Sequence, residues 1–285
     1  MRHVAIIPAR NEERFLEGTL RSLLAQTEPP DLVYVVDDGS TDRTPDIVRA
    51  VAAESPSVRL LQLPPRAKRQ MGGGVVRAFD AAYQQVRHLD FAYVSKLDAD
   101  LVFPPDYFER VLGFLDAHPD HAAAGGVPVE TIGGREVRWR VPAHNVPGPL
   151  KTVRKDVYDR MGGFIATLGW DIVDLVKMRS LGYRTTNLDI PVRHLRQHGS
   201  AEGRLRGKAQ WGEGAWIIGS HPLFVAARGL YRMAEAPYVL SGLAFWWGYL
   251  AAALRRRPRL ADRDLVRALR REQVERLLRF NRLAG

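Results

Sequence analysis

Leu32-Val33-Tyr34-Val35-Val36-Asp37-Asp38-Gly39-Ser40-Thr41-Asp42 is the stretch on which the fold turns. Its first five residues are apolar, β-branched or aromatic, which suits a strand. They do not alternate with polar residues, so the strand is expected to be buried on both faces, as in parallel sheets. Two acids and a glycine turn then follow at once. Upstream, Val4–Ile7 is a second apolar run, ended by Pro8. Between the two, Glu13–Gln26 carries Phe15, Leu16, Leu20, Leu23 and Leu24 at helical spacing. Downstream, Thr44-Pro45 predicts a helix start, with Thr as cap and Pro in the first turn, running to about Ala53. Val58–Gln62 reads as a strand, Gly72–Gly74 as a loop and Val75–Val86 as a helix. Phe91–Leu97 (strand), Tyr107–Ala117 (helix) and Ala122–Val127 (strand) continue the alternation. This rhythm predicts an α/β fold with a mostly parallel central sheet flanked by helices. Beyond Pro128 the rhythm changes to loops with one hairpin, then a helix over Trp170–Leu181 and a strand over Tyr183–Leu188.

Composition narrows the function. Of 285 residues, 46% are hydrophobic and 26% charged, as expected of a globular chain rather than a disordered one. There is no cysteine, which excludes disulfides, thiolate metal sites and cysteine nucleophiles, and fits a reducing compartment. The apolar part of Met1–Asn11 is too short to be expected to act as a signal peptide. A net charge of +10 suggests an anionic partner: nucleic acid, a phosphate-rich substrate or an anionic membrane. Its location matters more than its size. Arg255–Gly285 holds eleven arginines and four acids, so +7 of the +10 lies in the last stretch of chain. The remainder is nearly balanced.

Ligands on such sheets bind at the carboxyl ends of strands, so polar residues that follow strands are the candidates. Pro8, Asn11 and Glu12 follow the first strand, though Asn and Glu also suit a helix start. Asp37 and Asp38 follow the second, where carboxylates suit a nucleobase edge or ribose hydroxyls. Asp98-Ala99-Asp100 follows the fourth; two carboxylates one residue apart can hold a divalent cation, which in turn holds a diphosphate. A second such pair, Asp262 and Asp264, lies in the basic tail with no strand before it, and reads as coincidence. Lys68, Arg69 and Arg77 flank the glycine loop, either cradling phosphate or simply solvated. Neither G-x-G-x-x-G nor a P-loop is present. Asp171 and Asp174 share a face at the start of a helix, where one could be a general base or both could complement the helix dipole. His194 is either a metal ligand or structural, and His198 follows four residues later.

The order of these motifs along one chain resembles the family 2 glycosyltransferases. Pro-x-x-Asn-Glu, Val-Asp-Asp-Gly-Ser-Thr-Asp and Leu-Asp-Ala-Asp carry the resemblance, which spans about Met1 to Gln197. It implies a nucleotide-diphospho-sugar transferase (GT-A-like) fold, a Mg2+ or Mn2+ cofactor and an inverting mechanism. It further implies that Asp38 reads the donor base, with Pro8 and Glu12 lining the same pocket and Arg77 on the donor side. Asp98 would face the donor ribose or sugar, Asp100 would ligate the metal, and His194 would lie near it. Gly162, Gly163 and Phe164, with Trp170, would line the acceptor side. Asp171 would be the base, with Asp174 as the alternative because Trp170 stands where the family has Glu. The glycine loop lacks the family's Gly-Lys, and the Gln-x-x-Arg-Trp signature of processive synthases is absent, so transfer of one sugar is expected. The donor would be a UDP or GDP sugar, and the acceptor a glycan or lipid-linked hydroxyl.

Residues 1–205 are thus expected to form the catalytic domain, with a nucleotide-binding half (1–128) and an acceptor-side half (129–205). The C-terminal region, 206–285, is expected to be helical and membrane-associating. Within it Tyr238–Leu254 is free of charge and followed at once by Arg255-Arg256-Arg257. Seventeen residues reach only about 25 Å as a helix, short of the roughly 30 Å of a bilayer core. A helix lying in the anionic, cytoplasmic face of the membrane is therefore expected, with a buried globular helix or a single span as the alternatives. The arginines interleave with Leu and Val rather than aromatics, so no nucleic-acid partner is expected. A sugar-nucleotide pyrophosphorylase is the competing enzyme class, but its glycine-rich loop after strand one has no counterpart in Pro8–Glu12.

Overall fold

A computed structural model describes residues 1–65, 72–196 and 203–282. Lys68, Arg69 and His198 lie outside the described residues. The chain opens with β1 (His3–Ala9), α1 (Leu16–Leu24), β2 (Leu32–Asp37), α2 (Thr44–Glu54), β3 (Val58–Gln62), α3 (Gly73–Val86) and β4 (Tyr93–Leu97). There follow β5 (Leu101–Val102), α4 (Tyr107–Ala117), β6 (His121–Ile132), β7 (Arg135–Arg138), β8 (Leu150–Arg154) and α5 (Lys155–Arg160). Then come α6 (Trp170–Ser180), β9 (Arg184–His194), α7 (Arg204–Ile217), α8 (Pro222–Arg232), α9 (Leu240–Leu254) and α10 (Arg263–Arg282).

Among the described residues, all nine strands join one sheet in the order β3-β2-β1-β4-β8-β6-β9-β5, with β7 on β6. The expected alternation is present, but the sheet is mixed rather than mostly parallel. The pairings β1–β2, β1–β4, β2–β3 and β6–β9 are parallel, while β4–β8, β6–β8, β6–β7 and β5–β9 are antiparallel. The antiparallel members escape a sequence reading for a physical reason. β5 has two residues, and β8 lies in a proline-containing stretch with no run long enough to signal a strand. Pro8 sits in a central strand without breaking it. Pairing of β1 with β4 ends at Ile6↔Lys96, so no partner on that side needs an amide hydrogen from residue 8.

The period-two pattern of β1 explains the layering. Ala5 and Ile7 join Leu16, Leu20, Leu23, Val33 and Val35 in the main core, together with Tyr107 and Leu112. Val4 and Ile6 point the other way, and α3 covers β1 and β2 with buried Phe79 and Val86.

The chain divides into two units, Met1–Ala166 with Leu181–Gln197, and Thr167–Ser180 with His198–Gly285. This differs from a division at 205/206, because α6 groups with the C-terminal helices. Arg179 of α6 donates from Nη2 to Glu272 of α10 at 2.7 Å, and α6 packs along that helix. Inside this second unit α7 and α9 approach so closely that a Cβ on Gly212 would lie 1.8 Å from the Phe245 carbonyl oxygen. A Cβ on Gly248 would lie 1.8 Å from the Ala209 oxygen. Only glycine permits that approach. It leaves the other side of α9 uncovered: Leu240, Leu243, Trp247, Leu250 and Leu254 are exposed. No helix among the described residues is long and apolar enough to cross a membrane.

Candidate functional site

The site is built where strands end. After β2, Asp37 and Asp38 are divided between structure and display. Asp37 Oδ1 accepts from the Ser40 amide at 2.9 Å and closes the turn, which Gly39 completes at φ 75. Asp38 is buried, and its amide donates to the Ala9 carbonyl at 2.9 Å, pinning it beside the end of β1. Asn11, at φ 56, holds this same corner: its Oδ1 accepts from the Thr41 amide at 2.8 Å. Glu12 is buried, its amide donating to Thr44 Oγ1 at 2.8 Å; Thr44 is the first residue of α2 rather than its cap, and its amide donates to Asp42 Oδ1 at 3.0 Å.

Asp98 and Asp100 bracket the turn between β4 and β5. That two-residue strand decides their surroundings. Leu101 pairs with His194, and the Leu195 amide donates to the Asp100 carbonyl at 2.9 Å. The parallel register of β6 on β9 sets Glu130 opposite the same histidine. Two ladders therefore bring residues from three distant segments to one place. His194 Nε2 faces Asp100 Oδ1 at 3.4 Å, and its Nδ1 faces Glu130 Oε1 at 3.4 Å. Trp139 fixes that carboxylate: its Nε1 donates to Glu130 Oε1 at 2.7 Å, and its ring meets the imidazole edge-on at 5.6 Å.

Asp98, Asp100 and His194 each present one ligand atom, and these atoms lie within 4.8 Å of one another. Two carboxylates and an imidazole can accommodate a divalent cation such as Mn2+ or Mg2+. The buried carboxylate behind the imidazole is the arrangement that orients metal-ligating histidines, which supports the fit. Burial disfavours a charged imidazole, but the Asp100 and Glu130 carboxylates beside it outweigh that and raise the His194 pKa to about 9. A bound divalent cation would take the place of that proton. Two cationic side chains hold the carboxylates. Lys96 pairs with Asp98, and Arg196 pairs with Glu12 while its Nε lies 3.6 Å from Asp100 Oδ2.

Lys96, Glu130, Trp139 and Arg196 are absent from the sequence-derived set. Lys96 had a signal, a lone charge inside an apolar strand just before the acids. Arg196 stands two residues from His194. Glu130 and Trp139 had none, since only the register of β6 aims them.

The remaining candidates lie beside this cluster or elsewhere in their units. Pro8 is half-buried in β1. Arg77 is exposed on α3, with Nη1 3.3 Å from where a Gly73 Cβ would stand. Gly162 and Gly163 turn the chain at φ 72 and 83. They deliver Phe164 into an aromatic cluster, 5.0 Å from Phe79 and 4.9 Å from Tyr158, where it is buried. In the second unit Trp170 is buried at the start of α6. Asp171 and Asp174 differ sharply: Asp171 is half-exposed, Asp174 is 0% exposed.

The sequence pattern of the family described as Glycosyl transferase family 2 matches residues 4–168, more than half of the chain. The chain belongs to the family 2 glycosyltransferases. Among curated relatives of this family, it is 29% identical to an uncharacterized glycosyltransferase of Haemophilus influenzae, over 51% of this chain and 51% of that one. It is 28% identical to glycosyltransferase AglD of Haloferax volcanii, over 65% of this chain and 32% of that one. It is 30% identical to the succinoglycan biosynthesis protein ExoA of Rhizobium meliloti, over 45% and 36% respectively. The matches thus span from about a third to about half the length of these relatives. Among solved structures, mannosyltransferase PcManGT from Pyrobaculum calidifontis, in complex with GDP-Man and Mn2+, superposes with a TM-score of 0.60 at 21% identity. That match covers 99% of this chain and 80% of that one. Staphylococcus aureus TarS in complex with UDP-GlcNAc superposes with a TM-score of 0.53 at 18% identity, covering 90% and 73%. These likenesses give the family 2 chain the GT-A-like nucleotide-sugar transferase fold.

Proposed function

We propose that this glycosyltransferase moves one sugar from a UDP or GDP sugar to an acceptor hydroxyl, with inversion, using a divalent cation. The observation that carries the reading is the convergence of Asp98, Asp100 and His194 at the ends of β4 and β9. In the transfer, the acceptor oxygen bonds to the anomeric carbon and the bond from that carbon to the diphosphate breaks. The nucleoside diphosphate leaves, and a carboxylate takes the acceptor proton. A cation held by the three residues would neutralise the leaving diphosphate. Asp38, beside the end of β1 with Pro8 and Glu12, reads the nucleobase, and Asp98 faces the ribose or sugar. Arg77 is assigned to the donor side, and Gly162 and Gly163 to the acceptor side. Asp171 is the base, because a side chain as deeply buried as Asp174 presents no surface to a hydroxyl. The acceptor is a glycan or lipid-linked hydroxyl of the cell envelope; two relatives are named for succinoglycan and amylovoran biosynthesis.

The enzyme would act at the cytoplasmic face of the membrane. α9 is 15 residues long, about 22 Å, so it suits lying in the interface rather than crossing it. Its exposed Leu240, Leu243, Trp247, Leu250 and Leu254 form one stripe at spacings of three and four. Arg255, Arg256 and Arg257 follow it, exposed, where lipid phosphates would meet them.

A thermal-shift panel of UDP and GDP sugars with Mn2+ or Mg2+ tests the donor assignment. One nucleotide sugar at about a hundred times its Kd should stabilise the protein by about 2.7 kcal/mol, and only with cation present. Equal stabilisation without cation would remove the metal from the reading. Glu130→Gln should weaken Mn2+ affinity about tenfold to a hundredfold while leaving the unfolding midpoint nearly unchanged, because it orients His194 without being a ligand. Calorimetric Mn2+ titration reads this; an unchanged affinity would strip Glu130 of its positioning role.

A further inference from the structure

A second cluster of charge lies in the helical unit, and the transfer reaction does not use it. Lys208 of α7 and Arg232 of α8 both stand over the ring of Trp211, at 4.5 Å and 4.2 Å from its centroid. Arg228 is one turn before Arg232 on the same helix. One carboxylate answers these cations: Glu235 accepts from Arg232 Nη1 at 3.0 Å and pairs with Lys208. Among the described residues, these three cations and their one acid leave two positive charges in excess.

The groups are not merely solvated. Arg232 is 7% exposed, and its Nε is buried with no hydrogen-bond partner among the described residues. Burial, and then repulsion from Arg228, push its guanidinium down to about 10, against the pull of Glu235. Burial likewise lowers Arg228, and Arg276 of α10 adds to that. One buried and two half-buried cations crowded around one acid are costly unless a further anion joins them.

We infer that Lys208, Arg228 and Arg232 form a site for a phosphate ester, and that this phosphate is the headgroup of a membrane lipid. The inference rests on the membrane reading above and names the chemistry of the partner. A phosphate monoester carries about −1.5 to −2 charges at neutral pH, which matches the excess. It also presents several acceptor oxygens, which suit the half-buried Lys208 and Arg228 beside the buried guanidinium. The surroundings select a lipid over a free phosphate. Leu230 and Tyr231, next to Arg232, are 60% and 53% exposed. Tyr238, Val239 and Leu240, just after Glu235, are 71%, 53% and 50% exposed. An amphiphile would use both the charge and the apolar turn between α8 and α9, whereas a soluble phosphate would use only the charge.

Cosedimentation of the full chain with vesicles tests this. Three compositions are compared: phosphatidylcholine alone, with phosphatidic acid, and with phosphatidylserine at matched surface charge. The wild type should bind phosphatidic-acid vesicles about fivefold more tightly than phosphatidylserine vesicles, as expected for one extra well-placed charge contact. Lys208→Gln and Arg228→Gln should each abolish that preference without lowering phosphatidylserine binding, and Glu235→Gln should enlarge it. Lys208 is the milder change and serves if Arg228→Gln lowers the unfolding midpoint. Equal wild-type binding to both anionic vesicles, or a preference that survives in Lys208→Gln, would overturn the headgroup site while leaving the membrane reading in place. Failure to bind any vesicle would overturn both. Stabilisation by inorganic phosphate that Lys208→Gln removes, with no vesicle preference, would reassign the site to a free phosphate and overturn the lipid assignment.

Discussion

Asp100→Asn is expected to lower donor turnover about a thousandfold or more, the rate equivalent of the several kcal/mol a cation supplies to a leaving diphosphate. Asp100 is buried and its Oδ1 lies 3.4 Å from His194 Nε2, so its charge acts at short range. Asparagine keeps the shape of the side chain and the backbone carbonyl that accepts from Leu195, so the β5–β9 ladder should persist. Loss of turnover with an unchanged unfolding midpoint would therefore report lost charge, not lost structure. The measurement is release of nucleoside diphosphate against Mn2+ concentration. Asp264→Asn supplies the contrast. It alters the other Asp-x-Asp pair in the chain, with a side chain 88% exposed, and should change nothing. If Asp100→Asn retains more than about a tenth of the activity with the same Mn2+ dependence, the cation is not held there.

Asp171→Asn is expected to lower sugar transfer by about a hundredfold to ten-thousandfold, the usual range for removing a general base. Donor affinity should stay within about twofold, because the donor's base, ribose and diphosphate are assigned to other residues. Asp174→Asn should behave differently. Asp174 is 0% exposed on the inner side of α6, so its replacement should lower stability and reduce transfer only as far as the protein unfolds. A stable Asp174→Asn variant that binds donor and fails to transfer would exchange the two roles. Comparing the unfolding midpoint with single-turnover transfer in both variants separates these outcomes.

The local half of the structure was legible in the residues, and the non-local half was not. Strands such as Leu32–Asp37 and helices such as Tyr107–Ala117 announce themselves by composition and periodicity. The acids at their ends follow from the rule that strand ends carry ligands. Strand direction is another matter. β8 and β5 run against their neighbours because of where the chain returns, and nothing in five or two residues encodes that return. Likewise β6 runs to Ile132, well past the expected Val127, and the added length turns Glu130 from a loop residue into the partner of His194. In the tail, charge and apolarity were both visible. The glycine-lined contact that leaves one side of α9 bare required knowing which helix lies against it.

The two-residue β5 has a consequence for how the enzyme comes into being. Leu101 meets His194 across roughly ninety intervening residues, a separation that places this pairing among the slow events of folding. A nascent chain can complete the β1–β4 core long before β9 has been synthesised. Its acids will then be in place without their histidine. On the proposed reading, a cation site and the donor turnover that depends on it would form only once β9 has paired with β5 and β6. On that reading the two-residue β5 would act as the timekeeper of the chemistry.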